Sequence, residues 1–303
     1  MVPWKIKQFF LLFLIFGNIF SFQILLSISS PFYLKAVFLD VGQGDSIFIE
    51  LPSKNLFGKK LQILIDGGPT PWISEKISKL MPFFDRKIDL LILTHPHQDH
   101  LNGLFEIVND WQIGKVILVD FLPKDFKERE LYLNFKNLLQ KRQVEMIFAK
   151  RGYKITLDGL ASLFILWPEG NFKSENADEN GIVSKFTFGK IDFLFCADIP
   201  KKIENLLLAK EVFLENEEFS LKSEILKVSH HGSKTSSSKE FLEIARPQVA
   251  IISAGKGNPF GHPHFEVLKR LEEMNIMFFR TDLLGSIEVL SDGRGYQIKK
   301  LKL

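Results

Sequence analysis

The sequence predicts an α/β layered protein in which stacked β-sheets are covered on the outside by helices. Short runs rich in Val, Ile, Leu and Phe recur along the chain, and amphipathic runs of helical period fall between groups of them. Several strand runs, such as Leu90-Leu91-Ile92-Leu93, are apolar on both faces, as strands buried from two sides must be. Such a chain is stable only when its sheets and helices pack as layers about a shared core.

In chain order, residues 1–30 stand apart. Lys5 and Lys7 precede a stretch, 8–29, that carries no charged residue and is dominated by Phe, Leu and Ile. It is about the ~20 residues that cross a bilayer as a helix. Two readings stay open: a membrane anchor whose flanking lysines keep the N-terminus cytoplasmic and the body outside, or a cleaved signal peptide with Ser27 and Ser29 at the cleavage spacing. A buried helix of the folded body would keep a polar face, which this stretch lacks.

Residues 32–303 read as one continuous domain, without repeats or low-complexity linkers. Its 46% apolar composition over 303 residues is ample for a large core. Strands are expected at 34–40, 46–51, 61–66, 89–94, 115–119, 162–167, 191–197, 224–229, 248–253 and 286–290. Helices are expected at 73–84, 124–142, 200–210, 238–245 and 264–274. The first two strands form a hairpin, with Gly42 and Gly44 supplying the turn, and residues 168–179, rich in Asn, Glu and Gly, form an exposed loop. The 30 phenylalanines could be taken for a base-stacking surface, but most lie inside apolar strand runs or the N-terminal stretch and read as core.

Charge and cysteine content exclude several functions. The formal charge of +3 includes Lys5 and Lys7, which leaves +1 for residues 31–303 and no polycationic nucleic-acid binder. The single cysteine, Cys196, excludes an intrachain disulfide and a multi-cysteine zinc cluster. A metal here has to rely on histidine and carboxylate ligands.

All seven histidines fall into three clusters: His95, His97 and His100; His230 and His231; His262 and His264. The first cluster follows a buried strand, where rigid backbone can hold ligands still. His95-x-His97-x-Asp99-His100 offers three imidazoles and a carboxylate within six residues, too many close neighbours for one tetrahedral ion. Alternation along an extended turn would point His95 and His97 at one ion and Asp99 and His100 at a second.

The run from Thr94 to Gly103 resembles the His-x-His-x-Asp-His motif of the metallo-β-lactamase superfamily. Three further runs, Phe38-Leu39-Asp40-Val41-Gly42-Gln43-Gly44-Asp45-Ser46, Leu64-Ile65-Asp66-Gly67-Gly68 and Lys227-Val228-Ser229-His230-His231-Gly232-Ser233, are similar to the hydrolase domain of the ComEC/Rec2 family of DNA-uptake proteins. The resemblance implies an αββα sandwich of two mixed β-sheets, the metallo-β-lactamase fold, with two divalent ions, Zn²⁺ or Mn²⁺, at one edge. His95 and His97 would hold the first ion, and Asp99 and His100 the second. Asp198 would bridge the two, unless it only caps the helix that follows, and His230 would complete the second site. Asp66 would orient the ligand loop or merely form a turn, and Asp45 belongs to the same supporting or substrate-side set.

Adjacent residues leaving a strand point in opposite directions. His231 is therefore assigned to the substrate side, with the reverse division of His230 and His231 as the alternative. Ser233 and Gly232 are candidate donors to an oxyanion, or an ordinary turn, and His262 and His264 lie at the rim of the site or simply start a helix. The chain departs from the superfamily pattern in having no histidine between residues 100 and 230, so the first ion is one ligand short. Asn180 supplies an oxygen there or merely caps a turn. Cys196, where relatives often carry Thr-Gly-Asp, is a buried thiol or a sulfur ligand sharing a face with Asp198.

Two such ions polarise an acceptor oxygen and activate water, and they suit a phosphodiester because both the attacking and the leaving oxygen are stabilised. The expected function is a nuclease-like hydrolase of DNA outside the cytoplasm, competence-related, with Asp99 and His231 in the catalytic roles. The alternatives are hydrolysis of a carboxylic ester, lactone, thioester or β-lactam in the same fold, and a non-catalytic DNA-binding module. With a single apolar segment, the chain is expected to work beside a separate membrane channel rather than transport DNA alone.

Overall fold

The computed structural model describes residues 3–29, 32–53, 60–157, 159–211 and 217–303. After helix α1 (Trp4–Ser29) come β1 (Leu34–Phe38), β2 (Ile47–Leu51), β3 (Leu61–Ile65), α2 (Ile73–Leu80), β4 (Lys87–Ile92), α3 (Gln98–Asp110), β5 (Gln112–Leu118), α4 (Phe126–Lys141) and β6 (Glu145–Phe148). The chain continues through β7 (Lys154–Leu157), β8 (Ala161–Trp167), β9 (Val183–Phe188), β10 (Ile191–Phe195), α5 (Lys201–Glu211), β11 (Ile225–Lys227), α6 (Lys239–Ala245) and β12 (Val249–Ile252). It closes with α7 (Phe265–Glu273), β13 (Met277–Arg280), α8 (Thr281–Leu284), β14 (Ser286–Ser291) and β15 (Tyr296–Leu301).

The strands form two sheets, in the orders β15-β14-β1-β2-β3-β4-β5-β6 and β13-β12-β11-β10-β9-β8-β7. Both are mixed: β3 to β6 run parallel, as do β10 to β13, while the remaining neighbours are antiparallel. The expected hairpin is present, with Lys35 opposite Glu50 and Phe38 opposite Ile47. Strand alternation sorts the side chains into layers. Phe193 and Phe195 join the core between the sheets, where Phe195 lies 6.3 Å from Phe38 of the facing sheet. Leu194 and Cys196 point the other way, onto Ile203, Phe241 and Val267 of the outer helices α5, α6 and α7. Helices α2, α3 and α4 cover the first sheet with Ile77, Leu104 and Phe135. The result is an αββα sandwich of two mixed β-sheets.

Some expected boundaries move. Strands β6, β7 and β13 are four residues long and half-exposed, too short to show a period, and β15 alternates exposed residues on a polar run. Strand β9 hides its signal by burying Ser184 and Lys185. Helix α3 replaces the expected extended turn, since Leu101, Leu104, Ile107 and Val108 give it an apolar stripe. His97 caps its start and Asp99 and His100 lie in its first turn. Loop 168–179 ends in a single 3₁₀ turn, Asp178–Asn180.

In α1, the described side chains of Phe9, Phe10, Phe13 and Phe16 are exposed. Several other α1 side chains lie outside the described residues. Among the described residues no helix is long and apolar enough to cross a membrane.

The fold brings the C-terminal ends of β3, β4, β10, β11 and β12, from both sheets, to one edge. There α3 is clamped against the turn after β3. Gly67 N donates to His100 O (2.7 Å), Gly103 N donates to Gly68 O (3.0 Å), and a Cβ on Gly103 would collide with the Gly67 carbonyl. Gly103→Ala should therefore cost about 1–3 kcal/mol, as overpacking does. Urea denaturation measures this, and an unchanged midpoint at unchanged m-value would refute the close approach.

Candidate metal centre

The centre is built outward from Asp66, a buried carboxylate just after β3. Its Oδ1 accepts from Thr94 N (2.8 Å) and its Oδ2 from Thr94 Oγ1 (2.7 Å) and His100 Nδ1 (2.8 Å). Because the Thr94 hydroxyl proton is committed to a carboxylate, its oxygen accepts from His95 Nδ1 at 3.0 Å. His95 and His100 thus both carry their proton on Nδ1 and turn the Nε2 lone pair inward. Holding ring orientation and tautomer through the far nitrogen is the usual support for histidine ligands.

Two donor groups result. In the first, His95 Nε2 lies 3.1 Å from His97 Nδ1, and Asp178 Oδ1 lies 3.1 Å from His97 Nδ1 and 3.6 Å from His95 Nε2. In the second, His100 Nε2 is 3.4 Å from Asp198 Oδ2 and 3.9 Å from Asp99 Oδ2, and His231 Nε2 is 3.2 Å from both carboxylates. Donors at 2.0–2.2 Å from one tetrahedral ion lie roughly 3.3–3.6 Å apart, so both groups fit a cation. The His95 and His100 rings are only 4.1 Å apart, which makes the groups neighbours. His100 Nε2, Asp178 Oδ1 and Asp198 Oδ1 are buried without a hydrogen-bond partner, the atoms an ion would satisfy.

Asp178, not Asn180, lies in the position that the sequence leaves short of a ligand. The Asn180 amide is spent within its own loop: Oδ1 accepts from Ser174 N (3.2 Å), and Nδ2 donates to Ser174 O (2.9 Å) and Asn176 O (2.7 Å). Those bonds shape the turn that presents Asp178. Glu128, on α4, adds a carboxylate 3.5 Å from His97 Nε2.

The two adjacent histidines also lie otherwise than expected. The strand ends at Lys227, and both His230 (φ 49°) and His231 (φ 53°) adopt left-handed backbone, so strand alternation does not govern them. His231 is the one that joins Asp99, His100 and Asp198. Its Nδ1 donates to Ser253 O at 3.0 Å and lies 3.4 Å from Asp45 Oδ1. His230 turns aside toward His262, at 5.6 Å between rings. Ser233 bonds Thr235 within its turn, and Cys196 packs in the outer core, with Ala197 at φ 47° turning Asp198 away from it.

Lys227, which sequence reasoning missed, closes the centre from below. Fully buried at the end of β11, it donates to Asp45 Oδ2 and to Val228 O (3.1 Å), an ion pair that joins the two sheets. A lone lysine ending an apolar strand run was the available signal; Asp178 had none beyond its nearness to Asn180.

The charges follow from this crowding. Burial opposes a charged His100, yet Asp198, Asp99 and Asp66 outweigh it and hold its pKa well above the ordinary value, as Asp198 and Asp45 do for His231. Burial, then His100 and His97, push His95 well below. Burial and the neighbouring histidines lower His262 to about 4. Removing one member of a buried ion pair typically costs about 3–5 kcal/mol, so Lys227→Met should cost that much by chemical denaturation. Asp45→Asn in the same chain should recover most of it; a double variant no more stable than Lys227→Met would refute the pairing.

Comparisons with known proteins bear on the family and the fold. Residues 39–163 match the family model of the metallo-beta-lactamase superfamily. The chain is 30% identical over 268 residues to ComE operon protein 3 of Bacillus subtilis (strain 168), covering 82% of this chain and 32% of that protein. It is 29% identical over 256 residues to Recombination protein 2 of Haemophilus influenzae, 83% of this chain and 28% of that one. Competence protein ComA of Neisseria gonorrhoeae is 26% identical over 270 residues, 87% and 33%. The chain thus spans about a third of the length of these relatives.

Among solved structures, Igni18, a metallo hydrolase from the archaeon Ignicoccus hospitalis, superposes with TM-score 0.50 at 15% identity, covering 89% of this chain and 100% of that one. CmlA β-hydroxylase (E377D mutant) gives 0.51 at 13%, covering 88% and 54%, and both likenesses speak to the fold alone. With its motif runs, its αββα architecture and these relatives along most of its length, the chain belongs to the metallo-β-lactamase superfamily.

Proposed function

We propose that this chain is a two-metal phosphodiesterase acting on DNA outside the cytoplasm. His95, His97 and Asp178 would hold one divalent ion, and Asp99, His100, Asp198 and His231 would hold a second. The observation that carries this reading is the pair of adjacent donor groups with inward lone pairs and unpartnered buried oxygens. Bound ions supply a polarised phosphoryl oxygen and an activated water, and a pair of them suits both oxygens of a phosphodiester. A carboxylate in place of a third imidazole makes the first group harder, which admits Mn²⁺ beside Zn²⁺.

The chain's own residues do the rest. Asp66 and Ser253 O hold the His100 and His231 rings in register, and Lys227 keeps Asp45 ionised beneath them. His230 and His262 line the substrate side. DNA is favoured as substrate by relatives named for competence and recombination. The uncharged stretch 8–29, preceded by Lys5 and Lys7, anchors the domain or directs it across the membrane, with a separate channel protein as partner.

Metal analysis and turnover test this together. Wild type should hold two ions per chain and cleave methyl p-nitrophenyl phosphate. Asp178→Ala and His231→Ala should each hold one ion, and His230→Ala should keep both. Full occupancy in His231→Ala with loss in His230→Ala would reverse their roles, and turnover of esters, lactones, thioesters or β-lactams without phosphodiester cleavage would sink the substrate class.

Acid provides a second test. The raised pKa values of His100 and His231 mean that protons compete for the inward nitrogens to higher pH than for ordinary histidines, so affinity for the second ion should fall as the pH is lowered, the loss beginning above the ordinary histidine range. Competition titration with a chromogenic chelator measures it, and a flat profile would contradict those protonation states.

A further inference from the structure

The loop that follows β12 carries an apolar ring out to solvent beside the metal centre. Phe260 is 61% exposed, although phenylalanine is ordinarily a buried residue. One face of its ring nevertheless stacks on His262, with centroids 5.7 Å apart and planes inclined by 25°. His262 in turn lies 5.6 Å from His230 and 6.2 Å from His231. Two ring steps therefore lead from the exposed face to a donor of the second group.

The loop itself is stapled. Asn258 Oδ1 accepts from Phe260 N (3.2 Å) and His262 N (3.0 Å), while its Nδ2 donates to Gly255 O (2.8 Å) and His262 O (2.6 Å). Gly255 N donates to Gln43 Oε1 (3.2 Å), which ties the loop to the β1–β2 turn of the other sheet. One side chain thus fixes both aromatic residues. Left-handed glycines on either side, Gly257 and Gly261, have nothing packed where a Cβ would stand. An apolar ring held this firmly while facing water is a preformed contact surface, because its ordering has been met before any ligand arrives.

We propose that Phe260, backed by His262, is a stacking platform for an unpaired nucleobase, so that the centre takes single-stranded nucleic acid. This rests on the phosphodiesterase reading and names its substrate class. Every base offers a π-face to an aromatic side chain, and such contacts tolerate any sequence. Bases in a duplex are covered on both faces by their neighbours and cannot use the platform. The two ring steps correspond to roughly three nucleotides at the ~3.4 Å rise of a stacked strand, which places the stacked base a short way along the strand from the scissile phosphate. Exposed Lys256, in the same loop, adds a positive charge beside that path.

The test is binding of labelled oligonucleotides to the metal-loaded full chain, measured by fluorescence anisotropy, with methyl p-nitrophenyl phosphate hydrolysis as a separate arm. Phe260→Ala should raise the Kd for a single-stranded oligonucleotide about tenfold or more, leave binding of an abasic strand of the same length within about twofold, and leave small-diester turnover unchanged. Phe260→Trp should restore binding, and wild type should favour the single strand over its duplex. Equal loss for basic and abasic strands, or no loss for either, overturns the platform. Failure of wild type to cleave the small diester overturns the phosphodiesterase reading instead, whatever the binding arm shows.

Discussion

The centre depends on one buried carboxylate. Asp66 gathers Thr94 N, Thr94 Oγ1 and His100 Nδ1, and through the Thr94 hydroxyl it also fixes the His95 ring. Burial raises the pKa of Asp66, which its hydrogen-bond donors and the charge on His100 only partly offset. A carboxylate in that position is costly in an apolar interior and is kept only where its lone pairs are answered. Here they are, and the return is two imidazoles whose proton positions and orientations are set before any ion binds. Asp66 itself adopts left-handed backbone, φ 57°, as do Ala197, His230 and His231 around the same centre. Such residues persist only where surrounding structure over-determines them.

Neither sheet could form the centre alone. Asp66, His95 and His100 belong to the first sheet's turns, and Asp198 and His231 to the second's. The Asp45–Lys227 ion pair crosses between them directly below, and Gly255 N reaches Gln43 from above. The geometry of the donors is therefore a readout of sheet-on-sheet packing, so a lesion in the core between the sheets would shift donor distances that tolerate only tenths of an ångström. Lys227 has a further consequence. Without its charge Asp45 would be an uncompensated anion near His231, and the centre, already rich in carboxylates, would bind protons more tightly.

The layers were legible because burial on both faces leaves a mark in composition: Leu90-Leu91-Ile92-Leu93 and Phe193-Leu194-Phe195 each face apolar residues on two sides. His95, His97, Asp99 and His100 were legible as candidate donors because chemistry concentrates rare residue types at short spacing, and Asp198 was legible only through the resemblance. What escaped was set by distant contacts. Asp178 becomes a candidate ligand only because Asn180 spends its amide on Ser174 and Asn176 and turns the loop. The backbone at His230 and His231 follows from neither propensity nor period, since two consecutive left-handed residues are a tertiary outcome. Edge strands β6, β7 and β13 are too short and too exposed to impose a pattern.

That left-handed pair decides how the histidines divide their work. On an extended strand His230 and His231 would face opposite sides of the sheet, and one of them would be lost to the core. The turn instead keeps both at the same edge and separates them by angle, with ring planes inclined by 74° and centroids 6.2 Å apart. His231 faces the carboxylates, while His230 faces His262 and, beyond it, Phe260. The inner ring has the surroundings a cation ligand would need, since it meets Asp99 and Asp198 and is backed through Nδ1 by Ser253 O. The outer ring lies against His231 and His262 and has a buried, unpartnered Nδ1. The unusual turn therefore joins a charged interior to an aromatic rim within two residues, the transition a polyanion carrying flat apolar bases would need at the mouth of a metal site.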